Sequence, residues 1–286
     1  MKRFAAVILC VVLGAALTAH PAFARGKPAV AALQVGLQGK GLYSGTIDGV
    51  WGRGTASAVR RLQRRSGLSV DGVPGPRTRK ALGRLGRHGF GSRVLRDGHV
   101  GWDVSQVQFL LAWHGFPSGP LDGGFGPRTR AAVERFQRFA RLRVDGAPGP
   151  ATYRALRRPV PRSPIWLRWP LRMQPTDAFG PRGNRFHTGL DFPAGYGVAV
   201  RAAGRGRVVK AGWDAGGYGN VVVIRHPRRT YSWYAHLGSS RVARGAWVTA
   251  GTRIGTVGAT GHATGPHLHF ELRLRGAAID PLTALR

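Results

Sequence analysis

Pro266-His267-Leu268-His269-Phe270-Glu271 is the stretch that decides the fold of the C-terminal part of the chain. Successive side chains of a β-strand point to opposite faces, so His267 and His269 share one face while Leu268 and Phe270 share the other. Two imidazoles on one face are well placed to line a polar site. Because one metal ion cannot easily take both from a flat strand, we expect one histidine to bind metal and the other to do proton or charge work.

The sequence around this stretch predicts an all-β domain over residues 176–286. Short apolar runs alternate with glycine-rich turns from about Asp177 onward, which is typical of antiparallel strands. The predicted strands are Gly197–Arg201, Arg207–Lys210, Asn220–Arg225, Tyr231–His236, Thr252–Val257 and His267–Leu274.

A second motif, His187-Thr188-Gly189-Leu190-Asp191, places a carboxylate four residues after a histidine. The chain's one cysteine, Cys10, lies in an apolar run at the N-terminus, so a metal ion would be held by His, Asp or Glu. A catalytic zinc site without cysteine needs three N/O ligands and an open position for water. His187, Asp191 and one of the two strand histidines supply such a set.

These motifs occur in a recognisable order. Residues 177–286 resemble the lysostaphin/LytM-type zinc endopeptidases of peptidoglycan, through the segments FGPR, HTGLD, YAHL and GPHLHFE. The resemblance implies one zinc ion per catalytic domain, and nothing in the ligand set departs from the family pattern. Its implied metal ligands are His187, Asp191 and His269.

The same resemblance implies that His236 and His267 form the catalytic pair beside the metal. Either could be the general base. Glu271 shares a strand face with His269, and it could lie behind that ligand, or instead have a rim or a salt-bridge role. The turn Gly216–Asn220 is interpreted as backbone geometry alone.

The first half of the chain is an internal repeat. Ile47–Thr55 recurs as Leu121–Thr129 at an offset of 74, and the pattern D-G-x-x-G-x-x-T occurs four times. Asp-Gly is turn chemistry, so its aspartates are assigned no function. Helical periodicity predicts about three short helices in each copy. Both copies, residues 29–86 and 103–158, resemble the three-helix type of peptidoglycan-binding module, although a spacer without a ligand is an alternative.

Residues 159–175 are rich in proline and arginine, and they are predicted to be a semi-rigid linker. On this modular interpretation, deletion of residues 29–158 weakens wall retention while hydrolysis of small soluble peptides survives. The predicted fold class is therefore multidomain, with two small all-α three-helix modules followed by an all-β, antiparallel metallopeptidase domain.

Residues 1–24 have the pattern of a secretory signal peptide. Lys2 and Arg3 precede the apolar run Phe4–Leu17, and Ala22-Phe23-Ala24 offers a cleavage site. The run is short for a membrane span, which needs about 20 residues, and no transmembrane segment is expected after its removal. We therefore expect a secreted protein of the cell wall or periplasm.

The net charge is extreme, with 44 Lys and Arg against 12 Asp and Glu, or +32. Such a field favours polyanions, so anionic wall polymers are further candidate partners, although a bias in composition explains the charge equally well. No specific nucleic-acid binding is expected, because the basic residues are dispersed without a recognition motif.

The predicted function is a secreted zinc endopeptidase that cuts stem or cross-bridge peptides of peptidoglycan, which is both ligand and substrate. The alternative is a catalytically silent wall-binding protein that regulates another wall hydrolase.

Overall fold

The computed structural model describes residues 26–286, and each sequence repeat in it contains three α-helices. The helices are α1 (Pro28–Gly39), α2 (Arg53–Arg65), α3 (Pro76–Ala81), α4 (Trp102–Trp113), α5 (Pro127–Phe139) and α6 (Pro150–Leu156). A short 3-10 helix, Gly83–Gly86, follows α3. The motif's second glycine caps α2, α3, α5 and α6, and proline takes the first helical position in the last three. The prediction of two three-helix modules is confirmed.

A glutamine ties each of the four Asp-Gly turns to the helix before it. In the first turn, Gln34 Nε2 donates to Asp48 Oδ1 at 2.7 Å and to Thr55 Oγ1 at 3.3 Å, while its Oε1 accepts from the Gly49 N–H at 2.8 Å. The same arrangement recurs around three further residues, Gln63, Gln108 and Gln137. Each aspartate therefore holds its own turn in place.

The two modules pack on each other through equivalent surfaces. Helix α1 lies against α4, and the apolar cluster between the modules contains Val35, Ile47, Phe109 and Leu121. Val35 and Phe109 are equivalent in the two repeats, as are Ile47 and Leu121. The interface thus resembles that of a two-fold symmetric dimer.

The C-terminal domain is built on antiparallel strands, which confirms the predicted fold class. The strands are β1 (Gly180–Arg182), β2 (Arg185–His187), β3 (Leu190–Pro193), β4 (Ala199–Arg201), β5 (Gly206–Asp214), β6 (Gly219–His226), β7 (Thr230–Ser240), β8 (Trp247–Val248), β9 (Arg253–Val257), β10 (His267–Leu274) and β11 (Ala277–Ile279). Strands β1 and β2 form a hairpin of their own, and the main sheet runs β11-β10-β7-β6-β5-β8. Strand β3 also pairs with β10, and β9 pairs with both β7 and β4.

The proline-rich segment 159–175, predicted to be a semi-rigid linker, is attached to the sheet domain. Leu167 and Leu171 are buried in the apolar core of the sheet domain. The Leu167 N–H donates to the carbonyl of Ala284 at 3.0 Å, and the Arg168 N–H donates to that of Ala203 at 2.7 Å. The apolar residues between the prolines therefore fasten this segment to the sheet.

Within residues 26–286, no helix has the length and apolar character needed to cross a membrane. The signal peptide predicted for residues 1–24 lies outside the described residues.

Candidate metal centre

Strand register brings the two sequence motifs together. His269 in β10 lies directly opposite Asp191 in β3, and on its other side it lies opposite Ala235 in β7. Leu268 and Phe270 are fully buried in the apolar core, so the two histidines of β10 face away from it. His187 ends β2, and the loop to β3 returns the chain to Asp191.

Three ligand atoms converge on one point. His187 Nε2 lies 3.1 Å from Asp191 Oδ1 and 3.1 Å from His269 Nδ1, and His269 Nδ1 lies 2.7 Å from Asp191 Oδ1. In a tetrahedral zinc site with bonds of about 2.0–2.2 Å, ligand atoms are roughly 3.3 Å apart. The group therefore has the composition and approximate spacing that a metal ion needs.

The outer nitrogen of each of these histidines is fixed by an acceptor. His187 Nδ1 donates to the carbonyl of Ala178 at 2.9 Å, and His269 Nε2 donates to Glu271 Oε1 at 3.1 Å. Both inner nitrogens are thereby directed at the common point, as acceptors behind metal-binding histidines commonly direct their rings.

The electrostatics of the group favour a positive charge between its members. Burial alone would raise the pKa of Asp191, but hydrogen bonds from His187 and His269 outweigh it and lower that pKa. Burial alone would lower the pKa of His269, but its bonds to Asp191 and Glu271 raise the pKa to about 9. The two carboxylates thus attract a cation, either as a proton on His269 or as a metal ion.

Glu271 lies behind the site, where it is fully buried, so a position on the rim is wrong. A salt bridge is present, because its carboxylate pairs with Arg273. Besides His269, its carboxylate accepts from Thr188 Oγ1 at 2.5 Å, Tyr218 OH at 2.7 Å and Arg273 Nε at 2.6 Å. Burial would raise the pKa of Glu271, but Arg273 and His269 hold it low. The carboxylate is therefore ionised and able to orient His269.

Sequence reasoning missed three residues of this network: Thr188, Tyr218 and Arg273. Tyr218 stands in the turn Gly216–Asn220, and the interpretation of this turn as backbone geometry alone is wrong because the Tyr218 side chain reaches Glu271. Arg273 follows Glu271 by two positions on the same strand face, so the period of two could have found it.

His236 and His267 lie beside the three candidate ligands. Their ring centroids are 4.8 Å apart, and that of His236 is 5.8 Å from that of His269. His236 Nδ1 donates to the Thr260 carbonyl at 2.7 Å, and His267 Nδ1 donates to that of Gly265 at 2.9 Å. In each neutral ring, Nε2 is consequently left as the proton acceptor.

The backbone of His236 is unusual, with φ of 59° in the left-handed region. Such a conformation is strained for a residue other than glycine, and it clusters at functional sites. Burial, with a contribution from the neighbouring His267 and His269, lowers the pKa of His236. This histidine is thus held as a neutral base.

Arg182 is a further residue at the site that the sequence did not single out, although it ends the FGPR segment. Its Nη2 donates to Asp191 Oδ2 at 2.7 Å, and the same atom pairs with Asp177. The guanidinium therefore holds the second oxygen of Asp191 while the first faces the two histidines.

The helical modules contact the hairpin that carries His187. At the hairpin tip, the carbonyl of Gly183 accepts from the Ile47 N–H at 2.8 Å, and that of Asn184 accepts from the Leu121 N–H at 2.7 Å. Equivalent residues of the two repeats thus bind adjacent tip residues. Trp113, at the end of α4, also packs edge-on against Phe186, with ring centroids 5.3 Å apart.

Other histidines have structural surroundings. His226 is buried, and its ring bridges the Arg205 carbonyl at 2.8 Å and Ser232 Oγ at 2.7 Å. His114 contacts the Leu156 carbonyl at 3.0 Å within the second module. Neither belongs to the candidate metal group.

Fold and site together define a class of protein: an antiparallel β-domain with a candidate His-Asp-His metal centre, joined to paired helical repeats. Residues 185–281 match the model of peptidase family M23, and residues 26–82 and 101–156 match that of the peptidoglycan binding domain. The chain thus carries an M23 peptidase domain behind N-terminal peptidoglycan-binding domains, which confirms both resemblances.

Curated relatives of the C-terminal domain include a peptidase and an activator. The DD-carboxypeptidase/endopeptidase Mpg of Neisseria meningitidis serogroup B is 46% identical over 99 residues, which are 35% of this chain and 23% of Mpg. The murein hydrolase activator NlpD of Escherichia coli K12 is 38% identical over 120 residues, which are 41% of this chain and 31% of NlpD. The matches therefore span a third or less of these relatives.

Among solved structures, the catalytic domain of lysostaphin from Staphylococcus simulans is 34% identical, with a TM-score of 0.36. The match covers 38% of this chain and 89% of that domain.

Proposed function

We propose that this protein is a secreted, zinc-dependent endopeptidase that hydrolyses stem or cross-bridge peptides of bacterial peptidoglycan. The observation that carries the proposal is the convergence of His187 Nε2, Asp191 Oδ1 and His269 Nδ1, with His236 and His267 beside them. The match to peptidase family M23 supports it.

The ligand set fits zinc, because two imidazole nitrogens and one carboxylate oxygen are ligands that zinc prefers. A zinc ion bound there would supply hydroxide near neutral pH and polarise the scissile carbonyl. His187, Asp191 and His269 would hold it, Glu271 would orient His269, and Arg182 would hold Asp191.

His236 and His267 would handle protons and charge. Each has Nδ1 tied to a backbone carbonyl, so each presents Nε2 to the site. One of them accepts the proton of the attacking water and later gives a proton to the leaving amine, while the other hydrogen-bonds the oxyanion. The lowered pKa of His236 suits it to the role of base.

The modules would hold the enzyme on the wall, in the cell envelope. Peptidoglycan is then both the ligand of the modules and the substrate of the sheet domain, and the charge of +32 adds attraction to anionic wall polymers.

A second candidate function is regulation of another wall hydrolase. The observation that favours it is the similarity to the murein hydrolase activator NlpD. In this case the protein would bind the wall without cutting it.

The deciding experiment follows the turbidity of purified peptidoglycan with the chain from Arg25, its His269→Ala variant and a sample stripped with a chelator and then given zinc. The proposal expects clearing that releases new free amines, requires His269 and returns with zinc. His99→Ala, in the segment between the two modules, is the matched histidine control and is expected to clear normally. Wall binding without cleavage in every sample would favour the regulator.

A further inference from the structure

The two modules differ at one equivalent surface, although their folds repeat. In the first module, a groove of about 610 Å³ lies between α1, α3 and the turn at Trp51. Trp51 is 44% exposed there, whereas its equivalent, Phe125, is 2% exposed. Pro74 is likewise exposed and its equivalent, Pro148, is buried. The groove is open in the first module and covered in the second.

The chain itself covers the second groove, with residues 93–99 between the modules. Leu95 is fully buried in the same apolar cluster as Phe125. Four hydrogen bonds fix the segment to the groove: Leu95 N–H to the Pro148 carbonyl (3.3 Å), Gly98 N–H to the Phe125 carbonyl (2.9 Å), Phe125 N–H to the His99 carbonyl (2.8 Å) and Tyr153 OH to the Arg93 carbonyl (2.7 Å). A non-helical peptide with one apolar side chain therefore fits this groove.

Two backbone carbonyls that bind residues 93–99 in the second module have no hydrogen-bond partner among residues 26–286 at the equivalent positions of the first. Within residues 26–286, the carbonyls of Trp51 and Pro74 make no hydrogen bond. In the second module the equivalent carbonyls, of Phe125 and Pro148, both accept bonds from residues 93–99. The open groove thus offers a peptide the same backbone acceptors.

The groove of the first module also differs from that of the second in its basic side chains. Arg79 stands where the second module has Tyr153, and Lys80 and Arg87 lie beside it. Hydrogen bonds to the carbonyls of Gly86 and His88 hold the Arg79 guanidinium in place, over the ring of Trp102. No Asp or Glu among residues 26–286 lines this groove. A ligand with carboxylates is therefore favoured.

We propose that the groove of the first module binds a short acidic peptide in the manner shown by residues 93–99 in the second, and that the second module is closed by its own chain. Insofar as the peptide is a stem of peptidoglycan, this inference rests on the proposed function. Exposed Trp51 would also suit a sugar ring, but the bound segment in the second module is peptide.

The test measures binding of the tetrapeptide L-Ala-γ-D-Glu-L-Lys-D-Ala by calorimetry, with the α-amine and the lysine amine acetylated so that the carboxylates are its only charged groups. The protein is the chain from Arg25 with His269→Ala, so that nothing is cut. Trp51→Ala is expected to weaken binding about tenfold, and Lys80→Glu several-fold, at an exposed position that leaves folding intact. Arg154→Glu, the equivalent change in the second module, is the matched control and should leave the affinity unchanged. Amidation of the peptide's carboxylates should weaken binding.

Several outcomes would overturn the proposal. One is an affinity that neither Trp51→Ala nor Lys80→Glu changes. Another is binding of N-acetylglucosamine oligomers in place of the peptide, which would assign the groove to glycan. A third is a peptide-free dimer that Trp51→Ala dissociates, which would assign the groove to a second copy. Because the assay requires no hydrolysis, failure of the proposed peptidase activity would leave this test unaffected.

Discussion

Two polar clusters of this molecule each contain an aspartate, and they differ in whether every hydrogen-bond donor in them meets an acceptor. Around Gln137, the amide donates to Asp145 and Thr152 and accepts from the Gly146 N–H, so each donor meets an acceptor. Around Asp191, two imidazole nitrogens and a carboxylate oxygen point at one another. A closed network stabilises a turn, whereas converging lone pairs require a cation.

The largest expected effect tests the cluster around Asp191. Asp191→Ala removes one of three ligand atoms, and we expect zinc to be lost and peptidoglycan hydrolysis to fall about a thousandfold, equivalent to about 4 kcal/mol in activation free energy. Metal analysis and release of free amines measure both. Circular dichroism should show a folded chain. Retention of zinc and activity would show that these atoms do not form the metal centre.

The next largest effect tests Glu271, which supports the cluster around Asp191 from behind His269. Glu271→Gln keeps the shape of the side chain but removes the charge that accepts from His269 and Arg273. We expect zinc affinity to fall about 10- to 100-fold, as it does when the hydrogen-bond partner behind a metal ligand is changed. Competition with a chromogenic chelator measures it. An unchanged affinity would reduce Glu271 to a structural ion pair with Arg273.

A change in the cluster around Gln137 should lower the stability of the chain and leave its zinc content unchanged. Gln137→Ala leaves the buried Gly146 N–H and Thr152 without their partner, and we expect the free energy of unfolding to drop by about 1–3 kcal/mol. Urea denaturation measures the drop. Zinc content should stay the same as in the unmodified chain, and a loss of zinc here would contradict the separation of the two clusters.

Local patterns predicted the parts of the fold that repeat or alternate. The offset of 74 located both modules, and the alternation in His267–Leu274 gave strand β10 and the shared face of its histidines. The short strands β2 and β3, which carry His187 and Asp191, were not predicted, because three or four residues show no clear period. Thr188 and Glu271 are 83 residues apart, so only tertiary pairing brings them into contact.

Local sequence patterns also could not predict the contact between the modules and the sheet domain. This contact changes the expectation that hydrolysis of soluble peptides survives deletion of the modules. Deletion of residues 29–158 would remove Ile47, Leu121 and Trp113, all of which contact the β1–β2 hairpin. Because His187 ends this hairpin, we expect such a deletion to affect hydrolysis of soluble peptides as well as wall retention. The two regions are therefore coupled mechanically, although their polar clusters are separate.

The smallest expected effect measures this coupling in the full chain. Trp113→Ala removes the ring that packs against Phe186, one residue before His187. A looser hairpin costs more free energy to order when the ion binds. We therefore expect zinc affinity to fall about threefold, which is less than the effect of changing a hydrogen-bond partner of a ligand. Phe90→Ala is the matched control, since Phe90 packs on Tyr153 inside the second module, with ring centroids 5.0 Å apart. It should lower the free energy of unfolding without changing zinc affinity. Equal zinc affinities for both variants and the unmodified chain would mean that the sheet domain holds His187 without help from the modules.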